Sequence, residues 1–103
     1  MFPFERLEAW RGCHELTLAV YSVTNTWPRH EQYGLISQSR RAAASAATNI
    51  AEGSAKRGPA EFRRYLDIVL GSLSELAYLL MLARDLGYLT PPDWARLDAS
   101  RAT

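Results

Sequence analysis

The stretch Gln38–Gly53 reads Q-S-R-R-A-A-A-S-A-A-T-N-I-A-E-G, and its reading decides the fold. Six of these residues are alanine, the strongest helix former, and Gly53 is expected to close the helix at its C-terminal end. Arg40 and Arg41 open the run. Ser45, Asn49 and Glu52 then fall at i, i+4 and i+7, which puts a polar stripe on one helical face. Small apolar residues fill the rest. Such a helix lets others approach closely and sets polar groups for partners across a helix–helix contact.

Working back toward the N-terminus, Leu7, Trp10, Cys13 or His14, Leu16 or Thr17, Val20, Val23 or Thr24 and Trp27 recur at helical steps and predict a helix over about Glu5–Trp27. Its second half, A-V-Y-S-V-T-N-T-W, is rich in β-branched residues and could pass for a strand. No second strand-like run exists to pair with it, so the helix stands. Pro28 ends it, because a residue before proline avoids the helical region. After a short polar connection the second helix is expected over Gly34–Glu52.

Working forward, the linker S-A-K-R-G leads to Pro59, which suits a first helical position, with Glu61 near the positive end of the helix dipole. The third helix is expected to reach Leu86, a length of about 40 Å at 1.5 Å per residue. Phe62, Leu66, Val69, Leu73, Leu76, Leu80 and Ala83 make its main apolar seam. Leu70, Ala77, Tyr78 and Met81 occupy the face opposite much of that seam. A monomer's surface helix keeps that face polar, so an apolar one implies burial against another chain. The alternative is a central helix surrounded by partners from its own chain. Gly87 closes the helix. Thr90 as N-cap, Pro91 and Asp93 start a fourth, short one containing Trp94 and Leu97, with A-S-R-A-T fraying to the end. Short loops favour antiparallel neighbours. The reading is one all-α domain over residues 1–103, an antiparallel up-and-down four-helix bundle with a short fourth helix.

Composition agrees with an ordinary globular domain. The 103 residues are 48% apolar and 22% charged, enough for one modest core. A net charge of +1 argues against a plainly basic nucleic-acid binder but leaves room for a local patch. Cys13 is the only cysteine, so no intrachain disulfide forms and a reducing compartment is the simpler reading. M-F-P-F-E-R-L-E lacks the pattern of a signal peptide. The longest uncharged segment, Leu16–Pro28, is too short to span a membrane. A soluble cytoplasmic protein is expected.

Several signatures coincide in order and spacing. They are L-x-x-W near the start, V-Y-x-x-T before a proline, Y-G-L-x-x-Q-x-R-R-A-A-x-S, N-I-A-E-G, E-F-x-x-Y-L, G-S-L-x-E-L and L-G-Y-L. Together, over roughly Leu7–Leu89, they resemble the bacterial four-helix-bundle family encoded within intervening sequences of large-subunit ribosomal RNA genes. The chain is also similar to the accessory variability determinant of diversity-generating retroelements. The resemblance implies a homopentamer of up-and-down bundles with no established enzymatic activity. The retroelement relatives are basic and bind nucleic acid and a reverse transcriptase. This chain departs from them in its near-neutral charge and its shorter last helix.

No convergent chemical site emerges. An antiparallel hairpin of helices 2 and 3 with Asn49 level with Arg64 sets Arg41 level with Ser72 and Gln38 with Glu75. On that register Arg40, Arg41, Ser45, Asn49 and Glu52 meet Ser72 and Glu75 as a register-fixing polar network. Gly71 and Ser72 are expected to face the alanines of helix 2 and let the axes approach. Glu52 and Glu75 stand about a helix length apart, too far for paired acid–base work, and with His14 they are all that an enzyme reading could use. Cys13, His14 and His30 do not share metal-ligand spacing. No catalytic residue, metal or cofactor is implied. Lys56, Arg57, Arg63 and Arg64 gather at the linker end, either as a solvated loop or as a nucleic-acid contact repeated around a ring of subunits.

Overall fold

A computed structural model describes the backbone of residues 1–101 and the side chains of residues 1–97. It holds four α-helices, α1 (Glu8–Thr24), α2 (Leu35–Ser54), α3 (Pro59–Asp85) and α4 (Pro91–Arg101), and no strand among the described residues. Two short 3-10 turns, Pro3–Arg6 and Arg29–Glu31, precede α1 and α2. The Cα envelope is a rod of 44 × 22 × 21 Å. This is an all-helical fold consistent with a four-helix bundle. The expected fraying of A-S-R-A-T concerns side chains, and for residues 102 and 103 the backbone, that lie outside the described part.

The helix α2 is the central element, packed on α1 along one side and on α3 along the other, while α4 packs on α1. Its alanines explain this position. Ala42, Ala43, Ala46 and Ala47 are all buried, and their small side chains let two neighbours close on one helix. The larger core cluster joins Leu16, Val20, Val23 and Trp27 of the α1 region to Leu76, Leu80 and Ala83 of α3 and to Leu97 of α4. A smaller cluster, Cys13, Ala46, Ala47, Ile50 and Val69, lies toward the α2–α3 linker.

The helix boundaries differ from expectation in three places. The 3-10 turn Pro3–Arg6 breaks before α1, and α1 stops at Thr24, four residues before Pro28. There the Asn25 N–H bonds Ser22 O and the Trp27 N–H bonds Thr24 O, so the chain tightens into i→i+3 turns ahead of the proline. Gly53 is not a helix stop. It lies buried inside the last turn of α2, where an added Cβ would sit 2.7 Å from Tyr65 Cβ. The glycine is there for close approach. Gly87 does end a helix, at φ +84°, with the Tyr88 N–H reaching Ala83 O at 2.9 Å and the Gly87 N–H reaching Arg84 O at 3.0 Å, a Schellman closure. The Thr90 hydroxyl accepts the Asp93 N–H at 3.2 Å, as an N-cap should.

The α2–α3 register is displaced by one turn. Ser45, not Arg41, stands level with Ser72, their hydroxyl oxygens 3.0 Å apart. The cause is local. α2 continues to Ser54, Gly58 turns the chain at φ +83°, and Gly53 lets Tyr65 seat directly on it. Gly71 also differs from expectation. It is exposed, with nothing within 4 Å of an added Cβ, so the close approach of the helices happens at Gly53.

Candidate interaction surfaces

Of the expected polar network, three members meet. The Asn49 amide donates to Ser45 O at 2.8 Å and to Ser45 Oγ at 3.2 Å, and Ser45 Oγ bonds Ser72 Oγ. Arg40 turns the other way, toward α1. Its Nε donates to Thr24 Oγ1 at 2.9 Å, its Nη2 to Asn25 Oδ1 at 3.1 Å and to Tyr21 O at 3.4 Å, and its guanidinium lies 4.6 Å from the Tyr21 ring centre. A cation thus covers the C-terminal end of α1, where the helix dipole favours it. The displaced register accounts for the rest. Arg41 and Glu75 line one open groove with Gln38, Ala42 and Ser45 but form no ion pair, and Glu52 is exposed on the last turns of α2.

At the linker end, Lys56 and Arg64 lie over the Tyr65 ring, at 5.8 Å and 5.4 Å from its centre. Arg64 also pairs with Glu61 at 3.3 Å, and Arg57 and Arg63 are exposed. Two cations share one ring seated on Gly53, which gathers positive charge at this end of the bundle. Among the described residues no three His, Cys, Asp or Glu side chains converge as metal ligands would. Cys13 is buried, and burial pushes its thiol above its ordinary value. His14 stacks on Trp10 with ring centres 4.9 Å apart, so its ring is engaged in packing rather than facing a carboxylate.

Among the described residues α3 carries more exposed large apolar side chains than any other helix. Leu70 is 63% exposed, Tyr78 61% and Met81 43%, while Ala77 between them is half-buried. Leu66, Ile68 and Leu86 are exposed as well. By length and composition α3 could cross a membrane, and only 28% of its most apolar window is buried. Its opposite face nevertheless packs on α2 through Ser72, Val69, Leu76 and Ala83.

Two features escaped the sequence reading. A groove of about 500 Å³ runs along the outer face of α2, bordered by Tyr21 and Tyr33, and Tyr33 is 90% exposed. The small residues Ser37, Ala44, Ser45 and Thr48 at its floor follow helical spacing, and that spacing was the available signal. The second is a tie between the two loops at the far end. Tyr88 O–H donates to Glu31 Oε2 at 3.0 Å, with His30 Nε2 3.4 Å away, and Glu31 Oε1 accepts the Leu35 N–H at 3.2 Å. Desolvation first, and then the bond to the Glu31 carboxylate and its charge, hold the Tyr88 phenol above its ordinary value.

Fold and surface together define a small all-helical protein with exposed apolar side chains along α3. A model of the 23S rRNA-intervening sequence protein family matches residues 5–101, and the chain belongs to that family. No curated protein matches it.

Proposed function

We propose that this chain is a non-enzymatic, homo-oligomeric helical scaffold. Its bundle is antiparallel and up-and-down, supported by the seating of Gly53 on Tyr65, Ser45 on Ser72 and Arg40 on Thr24. The observation that carries the reading is the exposed row Leu70, Ala77, Tyr78 and Met81. Water on such a row costs roughly 25 cal/mol per Å², and a second chain removes that cost. The subunit number, five, comes from the family resemblance. The packing of α3 on α2 supports a soluble, cytoplasmic bundle over a membrane-spanning helix. The test is Leu70→Asp with Tyr78→Asp. Both sites are open to solvent, so helicity should persist while the particle falls to the mass of one chain. An unchanged particle would remove the reading.

A second reading has its own observation, the fixed cations around Tyr65. Repeated around a ring, Lys56, Arg57, Arg63 and Arg64 form a basic rim that binds nucleic acid or a nucleic-acid-processing protein. RNA or DNA binding should weaken steeply with salt and vanish in Lys56→Glu with Arg57→Glu. Binding indifferent to both would end this reading.

A further inference from the structure

We infer that the apolar ridge of α3 on one copy seats in the α2 groove of the next copy, so that two different surfaces meet at each contact. The inference rests on the oligomeric reading above and adds which faces are joined. Shape is the first argument. The ridge carries large side chains, Leu66, Leu70, Tyr78 and Met81, over about 23 Å of helix, and the groove runs about 20 Å along α2 from Ile36 to Asn49 with the small Ser37, Ala44, Ser45 and Thr48 in its lining. Large side chains from one helix fill the space above alanine and serine on another, which is how ridges enter grooves. The rim supplies Tyr21 and Tyr33, aromatic groups left in solvent by a lone chain and typical of interface cores.

Charge is the second argument. The groove lining holds Arg40 and Arg41 and no carboxylate. Between Tyr65 and Ala83 the only charged residues of α3 are Asp67 and Glu75, and neither forms an ion pair among the described residues. Asp67 is exposed beside the ridge, and Arg41 is exposed in the groove. Ridge on groove brings acid to base. Ridge on ridge brings acid to acid, with no cation in that stretch, and leaves the groove uncovered. A contact between unlike surfaces leaves a free groove on one copy of a pair and a free ridge on the other, so further copies add until the rotation closes a ring, where a like-to-like contact would stop at two.

Cysteine cross-linking under mild oxidation tests the pairing, read on denaturing gels beside light scattering of the same samples. Leu70→Cys lies on the ridge and Ala44→Cys in the groove, both at positions the fold leaves accessible. The double variant should form a ladder of linked chains, and each single variant, like the unmodified chain with its buried Cys13, should stay unlinked. Linking of Leu70→Cys to itself would overturn the pairing while leaving the oligomer intact. So would a double variant that scatters as an oligomer yet forms no links. A one-chain mass in every sample would instead remove the oligomeric reading itself. As an independent check, Arg41→Glu should lower the particle mass and Asp67→Arg added to it should restore it. Failure of that restoration also counts against the pairing.

Discussion

Gly53 and Tyr65 are in direct contact across the α2–α3 hairpin, with space for a hydrogen but not for a methyl group, since an added Cβ would stand 2.7 Å from Tyr65 Cβ. This contact sets the register of the hairpin and explains why a glycine interrupts an otherwise strong helix former. Alanine at position 53 gains helix propensity yet must push the two helices apart. Gly53→Ala should therefore destabilise the fold by about 1–3 kcal/mol, as overpacking does. Gly71 supplies the contrast. It is mid-helix with open space around it, so Gly71→Ala should stabilise by about 0.5–1 kcal/mol. Chemical denaturation of the two variants should move in opposite directions, and movement in the same direction would contradict the assignment.

The Ser45–Ser72 bond joins two half-buried hydroxyls. Ser45→Ala or Ser72→Ala should each cost about 1 kcal/mol, and the double variant should cost little more than either. A double-mutant cycle measures the coupling, and strict additivity would mean that the two hydroxyls do not act together.

Among the described residues Asn49 bonds only within its own helix, to Ser45. Asn49→Leu should therefore strand no partner on α3. The structure confines its loss to the local bonds, about 1 kcal/mol. A collapse of folding in Asn49→Leu would show a partner beyond Ser45.

The Tyr88–Glu31 tie makes stability depend on alkaline pH. A phenol held above its ordinary value keeps its proton in the folded chain after the unfolded chain has begun to lose it. The stabilising share is thus fully present below about pH 10 and fades as pH rises through the raised value. Cys13 is shifted in the same direction, and its share begins to fade at about pH 9, where an unfolded thiol ionises. Denaturation midpoints should fall above about pH 9 and more steeply above about pH 10, and Tyr88→Phe should flatten the upper part of that fall while Cys13 keeps the remainder. An identical slope in both chains would show that the tie is absent in solution.

The basic end is checked by chemical denaturation. Lys56 and Arg64 flank Tyr65 without holding the core together, so Lys56→Glu with Arg64→Glu should change stability by no more than about 1 kcal/mol. A large loss of stability would assign these cations a structural role and weaken their reading as a contact surface.

Helical periodicity carried most of the fold. The alanine run of α2, the Thr90 cap and the Gly87 closure were all legible, because each is a local preference written in neighbouring residues. Register was not, since it depends on which pair of side chains across two helices fits best. The Gly53–Tyr65 contact lies across a turn whose length shifted by a residue or two. Arg40 lies on a different face of α2 from Ser45 and reaches Thr24, while the displacement leaves Arg41 beside Glu75 without an ion pair among the described residues. The apolar row on α3 was legible from helical spacing, because Leu70, Ala77, Tyr78 and Met81 fall away from the main apolar seam. The α2 groove was not, since small residues announce close packing without saying whether the partner belongs to the same chain.

Light scattering on the unmodified chain at micromolar concentration tests the central claim most directly. If α3 hides its apolar row against other copies, the particle will weigh several times the 11.6 kDa of one chain, five times by the family resemblance. A particle of 11.6 kDa would mean that Leu70, Tyr78 and Met81 remain in water, and the scaffold would have no basis.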